Sequence, residues 1–590
     1  MTGHGGFSLG KSAAERALRQ PNDAASLAAA APAAAQPGPI KGLHTEMVGF
    51  RHFLADVPAA VAPNGSNEPP AEKVRKLRQL AKGLATVVKR DFRWMPHSQA
   101  ILDRYPGVEV WENPGIPSGY TYLLQLMAHD IVSTSFPVSV LDAGMTAARN
   151  MRSAPLQLDT IYGGGPADCP LMYASDANGA PRTALRLGAM AADPADVPMG
   201  RPLRDIPRVK APEDNATPGL LTEPLIADAR NDNNALISQT TVMFHILHNA
   251  ILALLPTNDP ASADDPAEAA FERFLCARGA VTLIYRRIIR KDLLARILHP
   301  AVHALYDVPK PPFLEMKAAS PGGDFRIPLE FAAAAFRFGH AMIRPFYRFN
   351  DAPGGGEFGL LRVLEQNSAQ TPIRMPFSRE WIVGWSNFFE IDGSRPNFSR
   401  RIGPNFSPDM LNVFFPAVDE TTQAGLAYRD FISGGVLNLP SAQVLIAKLR
   451  AIRPGLIEKS PFLKGDAYRQ DFRAFLTDYQ QKGFLPNVAV DKLVDSTPLG
   501  FFVLLEAALD PQTHGLRLGL LGSIIVADVI HAAMARNPVF GEGIASLPDA
   551  LKALCLQTYS QNHLAVVPDI GSMAALIKFA AQGNPKPSFI

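Results

Sequence analysis

A mainly helical fold is what this chain predicts, and three observations predict it. From about residue 107 to about residue 540, apolar residues recur at spacings of three and four, the period of a helix that buries one face. Runs that alternate apolar and polar residues, as half-buried strands require, are scarce. Proline makes up 52 of 590 residues, about 9% against a usual ~5%, so the helices are cut by many breaks and joined by long ordered connections. No repeat of fixed period appears, which excludes a solenoid.

Taken in order, residues 1–40 pass through an alanine-rich run, Ala24 to Ala35, into Gln36, Pro37, Gly38 and Pro39. With no bulky apolar face to bury, this stretch reads as a disordered arm. Residues 41–106 read as a wrapping segment, 107–545 as the main domain, and 546–590 as an extension packing on that domain. The helices expected inside it are Tyr120 to Val132, Asn234 to Leu255, Pro266 to Ala295, Glu330 to Met342, Ser378 to Phe389, Ser441 to Ala451, Pro498 to Ala508 and Leu516 to Ala535. Joints rich in Pro, Gly and Asp, such as Ala191 to Asp214 and Asn350 to Glu357, separate them.

Composition excludes several classes. With 47% hydrophobic and 19% charged residues the chain can close a large core. Lys+Arg 57 against Asp+Glu 55 leaves a formal charge of +2 with no sustained basic block, so nucleic acid is not an expected partner. Cys169, Cys276 and Cys555 are too few and too scattered for a disulfide framework or a zinc cage. Met1 to Lys11 lacks the charged start and apolar run of a secretory signal. The most apolar helical stretches carry His245 and His248, or Asp528 and His531, so no transmembrane segment is expected and the protein is expected to be soluble. The compartment and the oligomeric state are not legible.

Three polar islands carry the chemistry. Gln125 and His129 are four residues apart on one helix and share a face, while Asp130 points about 100° away. The run Asp228, Ala229, Arg230, Asn231, Asp232, Asn233, Asn234 opens the long helix that carries His245, His248 and Asn249; capping alone accounts for Asn and Asp there. The third is Pro328, Leu329, Glu330, Phe331, four alanines, Phe336, Arg337, Phe338, Gly339 and His340, ending at Pro345. Ala332 to Ala335 and Gly339 leave room for a close neighbour, as a planar cofactor held by one imidazole requires; packing against another helix explains the alanines equally well.

In this order the islands resemble the animal-type haem peroxidase family, the peroxidase-cyclooxygenase superfamily, in its bacterial branch. The resemblance extends to Leu156 to Gly163, to Leu426 to Gly435 with Leu439, Pro440 and Ser441, and to Thr497, Pro498, Leu499, Glu506 and Ala507, and so covers most of residues 107–540. It implies a helical fold with haem buried between distal and proximal helices. It also implies a peroxidase that uses hydrogen peroxide to oxidise a small reductant such as iodide, bromide, thiocyanate or a phenol. By the same resemblance His340 is the proximal iron ligand with Arg337 and Phe338 beside the haem, His129 is the distal base, Arg230 the distal arginine, and Gln125 the glutamine that holds water or a halide.

Asp130 matches a calcium ligand tied to the loop ending in Tyr162 and Gly163. The family's usual carboxylate there is replaced by Gln157, with Asp159 and Ser153 nearby, so any calcium site would be weakened. Ala128 and Asn233 stand where vertebrate members carry the carboxylates that form ester bonds to haem. That implies a non-covalent haem b and argues against efficient chloride oxidation. The residue that orients the proximal histidine is not aligned by sequence, Asn405 being one candidate. Two other readings stay open. A fatty-acid dioxygenase of the same superfamily would need a tyrosine three residues before His340, where this chain has Arg337; a haem-binding interaction protein would have lost catalysis.

Overall fold

The computed structural model describes residues 48–54, 70–135, 149–152, 154–174, 182–191, 204–209, 222–255, 266–308, 311, 326–351, 356–411, 425–485, 489–536 and 570–581. The expected arm, residues 1–40, lies outside them, as do Ser153 and Cys555. Among the described residues the α-helices of eight residues or more are α1 (Pro70–Val88), α2 (Gly119–Ile131), α3 (Ala235–Leu254), α4 (Pro266–Ile288), α5 (Leu426–Val436), α6 (Ala442–Ile452), α7 (Tyr468–Gln481), α8 (Leu499–Leu509), α9 (Leu520–Arg536) and α10 (Met573–Ala580). Strands are two to six residues long and pair in small antiparallel sheets. The helical fold class expected from sequence is borne out.

Local chemistry sets the helices that carry the site. α2 begins where β1 (Glu112–Pro117) pairs with β2 (Phe398–Arg400) through a register shift between Phe398 and Ser399. The N–H groups of Ser118 and Gly119 donate to the carbonyls of Asn397 and Phe388, which satisfies donors that a helix start leaves over. A Cβ on Gly119 would lie 2.4 Å from the Phe389 ring, so only glycine lets that ring close on the helix start. Asn234 caps α3 as its residue type predicts, its side-chain oxygen accepting from the N–H groups of Leu236 and Ile237 at 3.1 and 3.0 Å. α3 is long and apolar enough to cross a membrane, yet most of it is buried inside the protein.

Three expected helices differ from the structure. Pro266 to Ala295 is not one regular helix: α4 gives way to a wider turn at Ile289–Leu293 before helix resumes at Leu294–Ile297. Asp292 in that turn accepts from the Tyr120 hydroxyl of α2 at 2.5 Å and from the N–H of Met573, which begins α10. Ser378 to Phe389 forms two short 3-10 turns, Arg379–Trp381 and Trp385–Asn387. The Asn350 side chain donates to the carbonyls of Arg379, Glu380 and Ile382, acceptors that a continuous helix would have used.

The third difference matters most. Glu330 to Met342 is α-helical only over Leu329–Ala333, breaks at Ala334 (φ −138°, ψ −77°), and continues as a 3-10 helix over Ala335–Met342. Across the break Phe331 stacks on Phe336 with ring centroids 4.5 Å apart, and Arg337 Nε donates to the carbonyl of Ala332. The 3-10 stretch packs against α2, α8 and α9. Glu506 of α8 caps α9 by accepting from the N–H groups of Leu521 and Gly522, and burial pushes its carboxyl up to about 8.

Candidate functional site

α2 and the 3-10 stretch face each other across a cavity. From α2 it is lined by Thr121, Tyr122, Leu124, Gln125, Ala128 and Val132, one helical face at spacings of three and four. Opposite lie Ala332, Phe336, Arg337, Gly339, His340 and Ile343. A Cβ built on Gly339 would meet nothing within 4 Å, so this wall is open where the side chain is missing.

His340 projects from the 3-10 stretch into this cavity, 5% exposed. Its Nδ1 lies 2.6 Å from Asp430 Oδ2, and Arg337 Nη1 donates to Asp430 Oδ1 at 2.9 Å. In a 3-10 helix, side chains three apart eclipse one another. The break at Ala334 therefore stacks Arg337 over His340 so that one carboxylate can reach both. Asp430, which the sequence did not single out, is the residue that holds the His340 ring. Asn405 is elsewhere: its amide donates to the carbonyl of Arg90 and its oxygen accepts from Arg400. Phe338 is buried and is not among the cavity-lining residues; Phe336 holds that position.

Gln125 faces His340 across the cavity. Its oxygen accepts from the Asn234 side chain at 3.4 Å, while its amide nitrogen and the Thr121 hydroxyl are buried without a hydrogen-bond partner. Buried donors without partners are rare in folded proteins and mark a place for a polar ligand. The Ala128 methyl lies on the same wall, so no carboxylate is present there to esterify a haem.

His129, the next residue, is fully buried and is not among the cavity-lining side chains. Its Nδ1 lies 2.8 Å from Asn231 Oδ1, and the Asn231 amide in turn donates to the backbone and hydroxyl oxygens of Thr160. With its amide nitrogen so committed, Asn231 presents its oxygen as the acceptor of the Nδ1 proton. Burial first, then the Arg230 guanidinium, depress the imidazole to about 3, so it is neutral at ordinary pH.

The family resemblance implies Arg230 beside the peroxide; the structure turns it to the protein. Its guanidinium donates to the carbonyls of Val132 and His129 at 2.8 Å each and pairs with Asp228 at 2.6 Å. Asp228 also binds Arg152, and the two guanidinium groups hold its carboxyl well below the usual range against the effect of burial. His245, His248 and Asn249 tie α3 to the segment around Thr183 to Arg186 through backbone contacts.

Two of the donors expected to hold calcium, Asp130 and Asp159, are otherwise engaged. Asp130 accepts from the N–H groups of Leu158 and Thr160, and burial with the nearby Asp159 charge pushes it up to about 7. Asp159 pairs with Arg278 at 2.9 Å, and the carbonyl of Leu156 is taken by Arg286. Gln157 is half-buried. No group of three or more His, Cys, Asp or Glu side chains is placed to hold a metal among the described residues. Calcium needs six to eight oxygens with enough negative charge to offset its own, and among the described members of the expected set the two carboxylates, Asp130 and Asp159, already have protein partners. Backbone donors hold the loop to Asp130 of α2, and Arg278 and Arg286 hold it to α4. Dialysis against a chelator is therefore expected to leave the melting temperature unchanged, within about 1 °C by calorimetry; stoichiometric calcium by mass spectrometry would contradict this.

Haem is different: the residues fit. An imidazole with one nitrogen committed to a carboxylate, small and apolar side chains on both walls, and two orphaned donors opposite make a chemically suitable cleft.

A sequence model described as animal haem peroxidase matches residues 180–380, which agrees with the family resemblance read from the sequence and does not bear on its bacterial branch. The fold is shared with peroxidase A from Dictyostelium discoideum at a TM-score of 0.52 and 12% identity, covering 92% of this chain and 94% of that one. It is also shared with a fatty acid alpha-dioxygenase from Oryza sativa at a TM-score of 0.52 and 12% identity, covering 86% and 78%. No curated protein matches the chain in sequence.

Proposed function

We propose that this protein is a haem-dependent peroxidase that reduces hydrogen peroxide and oxidises a small reductant such as iodide, bromide, thiocyanate or a phenol. One observation carries the reading: His340, its Nδ1 bound to Asp430, and Gln125 line opposite walls of the same cavity. Haem b, held without covalent bonds since Ala128 and Asn233 cannot esterify it, would supply the redox centre at which peroxide accepts electrons. His340 would hold it through Nε2, because Nδ1 is committed. Gln125 lines the cavity and has a buried amide nitrogen without a partner, which suits it to orient water, peroxide or a halide.

The family resemblance makes His129 the base in this reading, although its ring lies behind the cavity wall rather than on it. Asn231 holds the proton on Nδ1, so the lone pair sits on Nε2, which takes a proton from one peroxide oxygen and returns it to the departing one. Arg230 acts through His129: it fixes that residue's carbonyl, and its charge helps keep the ring neutral. It is a positioning residue.

The test is peroxide-dependent oxidation of the four reductants by haem-loaded protein, followed against pH. A protonated imidazole has no lone pair to offer, and one depressed to about 3 stays neutral above that value. The rate of the peroxide step is therefore expected to hold from pH 7 down to about pH 4. An acid limb near 6.5, where an ordinary histidine titrates, would remove His129 as the base. Full haem loading with no turnover of any reductant would end the peroxidase reading, and oxygen uptake with linoleate would replace it with the dioxygenase one. Position 337, where that chemistry needs a tyrosine, is an arginine engaged with Asp430.

A further inference from the structure

α5 buries Leu426, Ala427 and Phe431, and the acid Asp430 lies on the same buried face. A carboxylate at such a position is costly to bury unless it is paired. Here it is paired twice, through different oxygens: Oδ2 to His340 Nδ1 at 2.6 Å and Oδ1 to Arg337 Nη1 at 2.9 Å. All three side chains are under 10% exposed, so little water screens them. Ser433, one turn along α5, lies 3.4 Å from the same Arg337 nitrogen.

The two partners act on the imidazole in opposite senses. A carboxylate that accepts the second ring N–H of a metal-bound histidine raises that ligand's basicity, because its full negative charge pulls the proton and leaves electron density on the ring. An arginine on the other carboxylate oxygen draws that charge away and weakens the pull. We propose that Asp430 and Arg337 together set the reduction potential of an iron bound at His340, Asp430 lowering it and Arg337 raising it. The inference rests on the reading above that His340 holds haem. Both are positioning residues in this role, since they act on the iron through the imidazole.

The test uses full-length protein loaded with haem, in native form and as the Asp430→Asn, Asp430→Glu and Arg337→Met variants. The ferric/ferrous midpoint is read by spectroelectrochemistry and the iron–imidazole stretch of the ferrous form by resonance Raman. Asp430→Asn is expected to favour reduction by tenfold or more, about 59 mV upward for one electron, with a lower stretching frequency. Arg337→Met is expected to move both readouts the other way, and Asp430→Glu to stay near the native values. A merely structural role would loosen the site in both variants and shift them in the same direction. Same-direction shifts, or no shift, overturn the proposal. Should Asp430→Asn fail to fold, Arg337→Met decides alone: a midpoint that stays or rises refutes it. A native chain that takes up no haem refutes the underlying reading; a native chain that takes it up without the opposed shifts refutes this inference only.

Discussion

His340→Ala protein is expected to show no Soret absorption at haem concentrations that saturate the native chain. Among the cavity's lining residues His340 is the only imidazole. Loss of an outer partner alone typically costs 10- to 100-fold in metal affinity, so loss of the ligand itself should exceed about 100-fold. The substitution also leaves Asp430 with Arg337 as its remaining charged partner, so the fold should persist. Circular dichroism checks this, and free imidazole added to the variant should restore part of the Soret band by occupying the vacated space. A native-like histidine spectrum in the variant would show that another residue holds the iron and would dissolve the assignment.

His129→Ala makes the second large change, and of the opposite kind: haem should still bind, while the peroxide step slows by about 10²–10⁴-fold, the usual worth of a positioned acid–base group. Stopped-flow mixing with peroxide reads that rate from the change in the Soret band. Asn231 loses a hydrogen bond in the variant, at a cost of about 1–3 kcal/mol for a buried acceptor left unpaired, so melting should fall without loss of folding. An unchanged rate would mean that the proton travels by another route. A variant that loses haem as well would mean that His129 holds the fold around the cavity rather than a proton.

Much of this was legible in the sequence because it follows from periodicity. The 3.6-residue repeat fixed the face of α2 that carries Gln125 and Ala128 into the cavity, and Asn234 announced the start of α3 by residue type. Two residues escaped. Asn231 sits among asparagines and aspartates that all look like caps, and nothing local distinguishes the one that grips His129. Asp430 did leave a signal, a lone acid on the apolar stripe of α5, but its partners are 90 and 93 positions away.

The sequence by itself determined the helical class and the two segments that face each other at the cavity, those of Gln125 and His340, since each depends on residue type and short-range spacing. Only the tertiary structure decided which way those side chains turn. Four alanines and a good helical pattern favour a continuous helix over Glu330 to Met342. Packing of Phe331 on Phe336 and the pull of one distant carboxylate break it at Ala334 and bring Arg337 and His340 into line. Likewise Arg230 turns from the cavity because carbonyls of His129 and Val132 lie within reach. Such choices are settled by groups far apart in the chain, whose meeting no local pattern encodes.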